Sequence, residues 1–507
     1  PLLRVDARGI AHIMPGSPCI NAGQALGFSG TTDIDGQARI QGADLDIGAD
    51  ESDGSTPGQA VLYVKPTGDD ANDGKSWATA KKTLQHAQDS AAAMMYPEIW
   101  VASGTYVGSI EVSNGIAMYG GFAGTETLLS QRNPRANITV IDANKAGPVV
   151  LARWSVGRGT IVDGFTITNG SYSGDGGGIR IIDAAGPIIR GNVVTGNSAT
   201  GWGGGIWCGN SSAAWILGNI VQNNSSGSWG GGIAFYYTQA SSIAANNVVA
   251  RNNGGPCGGI AVFQSVVPVI NNTIIHNLGD GNLRVWDTSA AKVYNNIIAF
   301  NSKGFSTNVN NANIDFKNNN VFWNRQEAYL GYPDQTGING NIAVDPMLSV
   351  DIKGVAHIAA ASPCRNTGLN SVVFDTDVDY QARIQGPSVD IGADESDGTN
   401  PAQIVVFVKP TGDDAMNGLT WANAKKTVQA GMDAAQPLGA EVWVVKGTYK
   451  ERITLRNAVA VFGGFLGTES TRAARNPVAN VTILDAEQKG WVVLADSNTT
   501  RGSVLDG

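Results

Sequence analysis

Carboxylates able to hold a hard cation are the first chemistry this sequence offers. TDIDG places Asp33 and Asp35 two residues apart, and DIGADE follows with Asp46, Asp50 and Glu51. The pattern returns as TDVDY, with Asp377 and Asp379, and again DIGADE, with Asp390, Asp394 and Glu395. Acids clustered on turns are what calcium requires, although none shows the alternate spacing and distal Glu of an EF-hand. A plain turn, in which Asp side chains bond their own loop, fits the same letters. The copies are not identical, since Tyr380 stands where the first has Gly36. GDDANDG adds Asp69, Asp70 and Asp73, and its second copy has Asn417 in place of Asp73. Calcium is the one cofactor these residues suggest.

Sugar recognition is the second chemistry. Trp202 and Trp229 precede GGGI at the same phase, 27 residues apart, so their rings are candidates for stacking on a polysaccharide. The competing reading is a stacked pair that closes a loop over the core. Acid–base chemistry is the third, and glycoside cleavage needs two positioned carboxylates or a base beside bound calcium. The acids between Phe165 and Asp345 share no common repeat position, so no catalytic residue is assigned. Asp280, Arg284 and Asp287, with His276 nearby, form the one mixed group, which reads as solvated loop charge.

The chain has 507 residues, of which 66 are Gly and 15% are charged, below the roughly 25% of ordinary globular proteins. That suits an all-β chain rich in tight turns. A net charge of -9 without a Lys/Arg stripe excludes a nucleic-acid footprint. No apolar run approaches the ~18 residues of a membrane span, and the opening PLLRVDARG lacks the order of a signal peptide. Cys19 and Cys364 sit in equivalent SPC triplets, while Cys208 and Cys257 have no counterparts. All four read as unpaired.

Two nested repeats position these residues. SPCINAG (17–23) matches SPCRNTG (362–368), VKPTGDDANDG (64–74) matches VKPTGDDAMNG (408–418), and GGFAGTE at Gly120 matches GGFLGTE at Gly463. A whole domain is therefore duplicated in tandem, and the simplest account is a segment of a longer array. The expected division is the end of one unit over 1–56, a complete unit over 57–398, and the start of another over 399–507. Within the complete unit, coils are expected over about 98–350 and a closing segment over about 357–398.

The shorter repeat lies inside that unit. Gly-Gly-Ile recurs with Ile at 179, 206, 233 and 260, in steps of 27. Between these stand GNVVTGN, GNIVQNN, NNVVARN, NNTIIHN, NNIIAFN and NNVFWN, each led into its apolar core by Asn192, Asn219, Asn247, Asn272, Asn296 or Asn319. A second Asn follows five residues later each time. The period suits one solenoid coil, and short Val/Ile/Thr runs bounded by Asn and Gly read as strands and turns. Asn and Gly accept left-handed backbone, and Asn amides in successive coils can bond along the stack. These features predict an all-β parallel β-helix. A helix over about 78–94, with Ala80, Leu84, Ala87 and Ala91 on one face and Ser76 or Thr79 as cap, is expected to cover the first coil.

On these motifs the chain resembles secreted bacterial right-handed parallel β-helix proteins of the pectin-lyase-like superfamily. The likeness is greatest to those with polymorphic-outer-membrane-protein-like GGGI and Asn repeats. The head, NDGKSWATAKKTLQ, and the tail, SPCINAG with DIGADE, resemble members that carry varied C-terminal anchors. The resemblance implies an extracellular, cell-surface location. It leaves activity open, because the fold hosts lyases, hydrolases, adhesins and inert stalks. The leading expectation is a non-enzymatic structural protein whose tandem units associate with one another into a fibre. An adhesin for polysaccharide is second, and a polysaccharide lyase or hydrolase third.

Overall fold

The computed structural model describes residues 3–5, 11–13, 17–24, 32–34, 36–40, 44–52, 61–94, 98–154, 156–287, 291–308, 314–351, 354–370, 376–399, 404–496, 499 and 503–507. Asp35 and most of the linker ESDGSTPGQA lie outside them. The chain divides into two compact units, one of 1–106, 110–139 and 159–163, the other of 107–109, 140–158 and 164–507. No helix among the described residues is long and apolar enough to cross a membrane.

The second unit is a right-handed parallel β-helix with three long sheets. One sheet includes Ile188–Arg190, Trp215–Leu217 and Ile243–Ala245. A second includes Val193–Thr195, Ile220–Gln222, Val248–Ala250, Thr273–Ile275, Ile297–Ala299 and Asn320–Phe322. The third includes Ile179–Ile181, Ile206–Gly209, Ile233–Tyr236, Ile260–Phe263 and Leu283–Trp286. Pairing is parallel and in register, so like residues stack: Val194 pairs with Val221, Val221 with Val249, and Val249 with Ile274. All four are fully buried, forming one apolar column along the inside of the helix.

The doubled letters GN and NN divide two tasks between neighbours. The first residue turns the chain with a left-handed backbone, as at Gly218 (φ 60°), Asn246 (φ 57°), Asn271 (φ 53°) and Asn295 (φ 57°). The second is buried, and its amide joins a ladder. Nδ2 of Asn192 donates to Oδ1 of Asn219 at 3.1 Å, and the chain continues through Asn247, Asn272, Asn296 and Asn319 to Asn341. Each acceptor oxygen also receives the backbone N–H of the preceding coil's Asn, as Asn247 Oδ1 does from Asn219 N at 2.9 Å. The Asn five residues on builds a second ladder from Asn197 through Asn224, Asn252, Asn277 and Asn301 to Asn324. Stacking identical amides satisfies polar groups that the core would otherwise leave unpaired.

The GGI glycines follow from the second ladder. A Cβ at Gly205 would lie 2.6 Å from Gly232 O, 2.8 Å from Val221 Cγ1 and 3.0 Å from Asn224 Nδ2. The strand entering the third sheet presses on its neighbours with no room for a side chain.

The first unit holds helix α1 (Leu84–Met94), and the second holds its counterpart α2 (Val428–Leu438). Ala80, Leu84, Ala87 and Ala91 are all buried. The helix starts later than the expected 78, and Ser76 and Thr79 do not cap it. They close a turn on each other, 2.9 Å between hydroxyls. Asp70 instead receives Lys82 N, Thr83 N and the Thr83 hydroxyl at 2.8–2.9 Å. In α2, Asp414 repeats this on Thr427, whose hydroxyl accepts Ala430 N as the N-cap. Half of the GDD acids thus set a helix entry.

Candidate functional site

Both closing segments are built alike. In the second unit an antiparallel hairpin, Leu348–Val350 with Ala356–Ile358, is tied to a loop over 376–396. In the first unit, Leu3–Val5 pairs with Ala11–Ile13 in the same way. The candidate calcium ligands make the ties. Asp390 receives Asn366 N at 2.6 Å and Ser396 N at 2.7 Å, and Asp46 receives Asn21 N at 2.6 Å and Ser52 N at 2.8 Å. Glu395 and Glu51 accept the N–H of Asp390 and Asp46. Asp377 receives Gln381 N and Glu395 N at 2.9 Å, and Asp33 receives Gln37 N and Glu51 N. Asp394 bonds Ile358 N, and Asp50 bonds Ile13 N. A carboxylate accepting two backbone donors is a loop staple, and hydrogen bonds to charged groups are about twice as strong as neutral ones.

The balancing cations come from the chain itself and were not picked out from sequence. His357 Nδ1 lies 2.8 Å from Asp394, its Nε2 lies 3.6 Å from Asp351, and His12 meets Asp50 at 3.0 Å. Burial opposes the charged imidazole of His357, but the two carboxylates outweigh it and hold its pKa at about 10. Arg383 is fully buried and donates to the carbonyls of Ala393 and Gly392, as Arg39 does to those of the equivalent Ala49 and Gly48. The repeated strings AHI and QARIQG carried this signal.

Three groups come closest to a metal-ligating set. His357, Asp379 and Asp394 each offer one atom within 4.8 Å of the others, beside a cavity of about 230 Å³ lined by Asp351, Glu395 and Asp397. An imidazole among them departs from the all-oxygen shell that calcium prefers. Burial raises the carboxyl pKa of Asp377, reinforced by the neighbouring Asp379, and pushes Glu395 up to about 7.

The aromatic candidates lie on the outer face of the third sheet. The rings of Trp202 and Trp229 stack on each other at 5.1 Å and 15°, with Tyr236 and Phe263 against them. They cover the buried Trp207, Ala234, Cys257 and Ala261. Arg284 stacks over Trp229 at 4.3 Å and Trp286 at 4.0 Å, while Tyr237 is half exposed. The mixed acid–base group is dispersed. Asp280 pairs with Lys303, Asp287 accepts from the Gln264 amide, and His276 stacks half-buried on Phe300, its pKa pushed down to about 3 by desolvation and the nearby Arg251. All four cysteines are unpaired.

The closing segment does not finish the helix end-on. It lies back along the second sheet, against side chains that point away from the helix interior. Val350, Ile358, Val378 and Ile391 pack with Ile220, Val248, Ile275 and Ile297. Asn295 exchanges two side-chain bonds with the backbone of Leu369, Gly392 N donates to Asn295 O at 2.8 Å, and Ala393 N donates to Thr273 Oγ1 at 2.9 Å. The Tyr380 hydroxyl reaches Gly191 O, 189 residues back in sequence. Asn457 touches the same stack of coils, its Nδ2 bonded to His276 O at 2.9 Å.

These features define the class, a right-handed parallel β-helix whose flank is covered by its own closing segment. Residues 154–266 match the family described as "Right handed beta helix region". No curated protein matches the chain. Among solved structures it is similar to the pectate lyase Pel9A, with 13% identity and a TM-score of 0.42 over 66% of this chain and 96% of that one. XylC in complex with xylose gives 10% and 0.30 over 66% and 98%. The PL6 family alginate lyase AlyGC gives 11% and 0.15 over 80% and 69%.

Proposed function

We propose that this protein is a non-enzymatic, extracellular structural protein in which β-helix units follow one another as a surface fibre or stalk. The observation that carries the reading is the use of the duplicated acids. Asp33, Asp46, Asp50 and Glu51, and their counterparts Asp377, Asp390, Asp394 and Glu395, accept backbone N–H groups, so the repeated motif holds a closing segment in place. The bond from Asn457 to the same stack of coils suits an array meant to resist bending at its joints. Electron microscopy of the native cell surface tests the reading. Filaments with one axial repeat per unit are expected, and isolated monomers alone would refute it.

A second reading is an adhesin. Tyr237, half exposed beside Tyr236 and Phe263 at the edge of the aromatic cluster, favours a polysaccharide, because an exposed aromatic face can stack on a sugar ring. A glycan array separates the readings. Binding lost in Tyr237→Ala with the fold intact supports the adhesin, and an unchanged profile removes it.

A further inference from the structure

The two closing segments share their internal bonds but not their cover. Val378 is 3% exposed and its counterpart Ile34 is 55% exposed, while Ile391 is 0% exposed and its counterpart Ile47 is 57% exposed. The fold of the segment is not the cause. The paired staples described above agree within a few tenths of an ångström, and the arginine and histidine counterions occupy equivalent places. What differs is the surface laid against them. In the complete unit that surface is so close to Gly392 that a Cβ there would meet Ile297 Cδ1 at 2.7 Å.

The covered copy therefore specifies what fits the uncovered one. The occupant must present a flat row of outward apolar residues one coil apart, as Val248, Ile275 and Ile297 do. It must also carry turn amides, as Asn271 and Asn295 do when they bond the carbonyls of Asp390 and Leu369. Only a β-helix flank of this design combines the two, and within this chain that flank is already taken by residues 348–396. We propose that the face carrying Ile34 and Ile47 docks on the second-sheet flank of a further β-helix unit of the same design, supplied in cis from the N-terminal side of Pro1. The inference rests on the tandem-array reading. It gives each closing segment one defined partner, the coil stack before it.

Hydrogen–deuterium exchange with mass spectrometry tests this, comparing the 507-residue chain with the full-length native protein. Residues 376–396 serve in both as the internal standard for a folded, covered segment. In the 507-residue chain, amides over 44–52 are expected to exchange at least about tenfold faster than those over 388–396. In the native protein the two stretches should match, and Ile47→Asp should restore fast exchange at 44–52 while leaving 388–396 unchanged. Fast exchange at 44–52 in the native protein, or no response to Ile47→Asp, overturns the proposal. So does protection in the 507-residue chain that disappears on dilution, which would assign the cover to a second copy. Filament counts and exchange patterns are independent readouts, so failure of the array reading and failure of this docking are told apart.

Discussion

Asn224 donates its side-chain amide to Asn252 Oδ1 at 3.0 Å, one coil further on, while Asn223, its neighbour, turns the backbone with a φ of +55°. The same residue type thus serves two unrelated purposes side by side. Asn224→Ala would take the side-chain acceptor from Asn197 N–H, one of the three acceptors from Asn197 Nδ2, and the amide donor from Val194 O, all within the core. A loss of about 2–4 kcal/mol is expected in urea unfolding. Asn223→Gly keeps the left-handed turn and should shift stability by less than about 0.5 kcal/mol. Equal losses in the two variants would contradict the division of labour.

A methyl group at Gly205 should be as damaging as a lost amide. It would meet Gly232 O and the Val221 side chain well inside van der Waals contact, with the ladder behind them. Gly205→Ala is expected to cost about 1–3 kcal/mol through displaced neighbours, read as a lower thermal midpoint. An unchanged midpoint would mean that the coils can separate locally at no cost.

The coil architecture was legible because its signals are local and repeated. Asn pairs every 23–28 residues and GGI every 27 specify turns and strands without knowledge of distant contacts. The flank-packed closing segment was harder to see, although one cue was present. VVA and IIA are apolar at all three positions where a half-exposed strand would alternate, and strands buried on both faces read that way. Which segment supplies the second cover depends on contacts such as Asn295 with Leu369 and Tyr380 with Gly191, 74 and 189 residues apart. The acids carry two readings for a related reason. A carboxylate that staples a loop and one that binds calcium share the same spacing, and the backbone N–H groups bonded to Asp46 and Asp390 emerge only in the fold.

Burial of the closing segment should be visible in stability. Ile391 is fully enclosed, so Ile391→Ala should destabilise the segment by about 2–5 kcal/mol, measured by native-state proteolysis within 376–396. Ile47→Ala in the 507-residue chain removes atoms already in water and should change proteolysis within 44–52 by less than about 0.5 kcal/mol. Equal effects would mean that the two segments are covered alike.

Calcium should add little. The staple carboxylates accept backbone donors, and His357 and Arg383 already bring positive charge among them. Ligand binding to the folded state raises stability with occupancy, so a genuine site would shift the midpoint with calcium concentration. The expected change in thermal midpoint between EDTA and millimolar calcium is below about 1 °C, and a graded rise would identify the acids as ligands.

Titration of the closing segment should weaken it upward in pH, in two steps. Glu395 has its pKa raised from 4.5 to about 7, so the fold favours its protonated form. That contribution is complete below about pH 4.5 and is lost as pH rises through about 7. His357 is raised from 6.5 to about 10, so its contribution is complete below about pH 6.5 and lost through about 10. Native-state proteolysis within 376–396 should therefore accelerate between about pH 5 and 7 and again toward 10. Glu395→Gln, which stays neutral, should shrink the lower step, which Asp377 shares because burial raises its carboxyl as well, and His357→Gln should remove the upper step. A segment that becomes more resistant between pH 5 and 8 would show that burial does not govern Glu395.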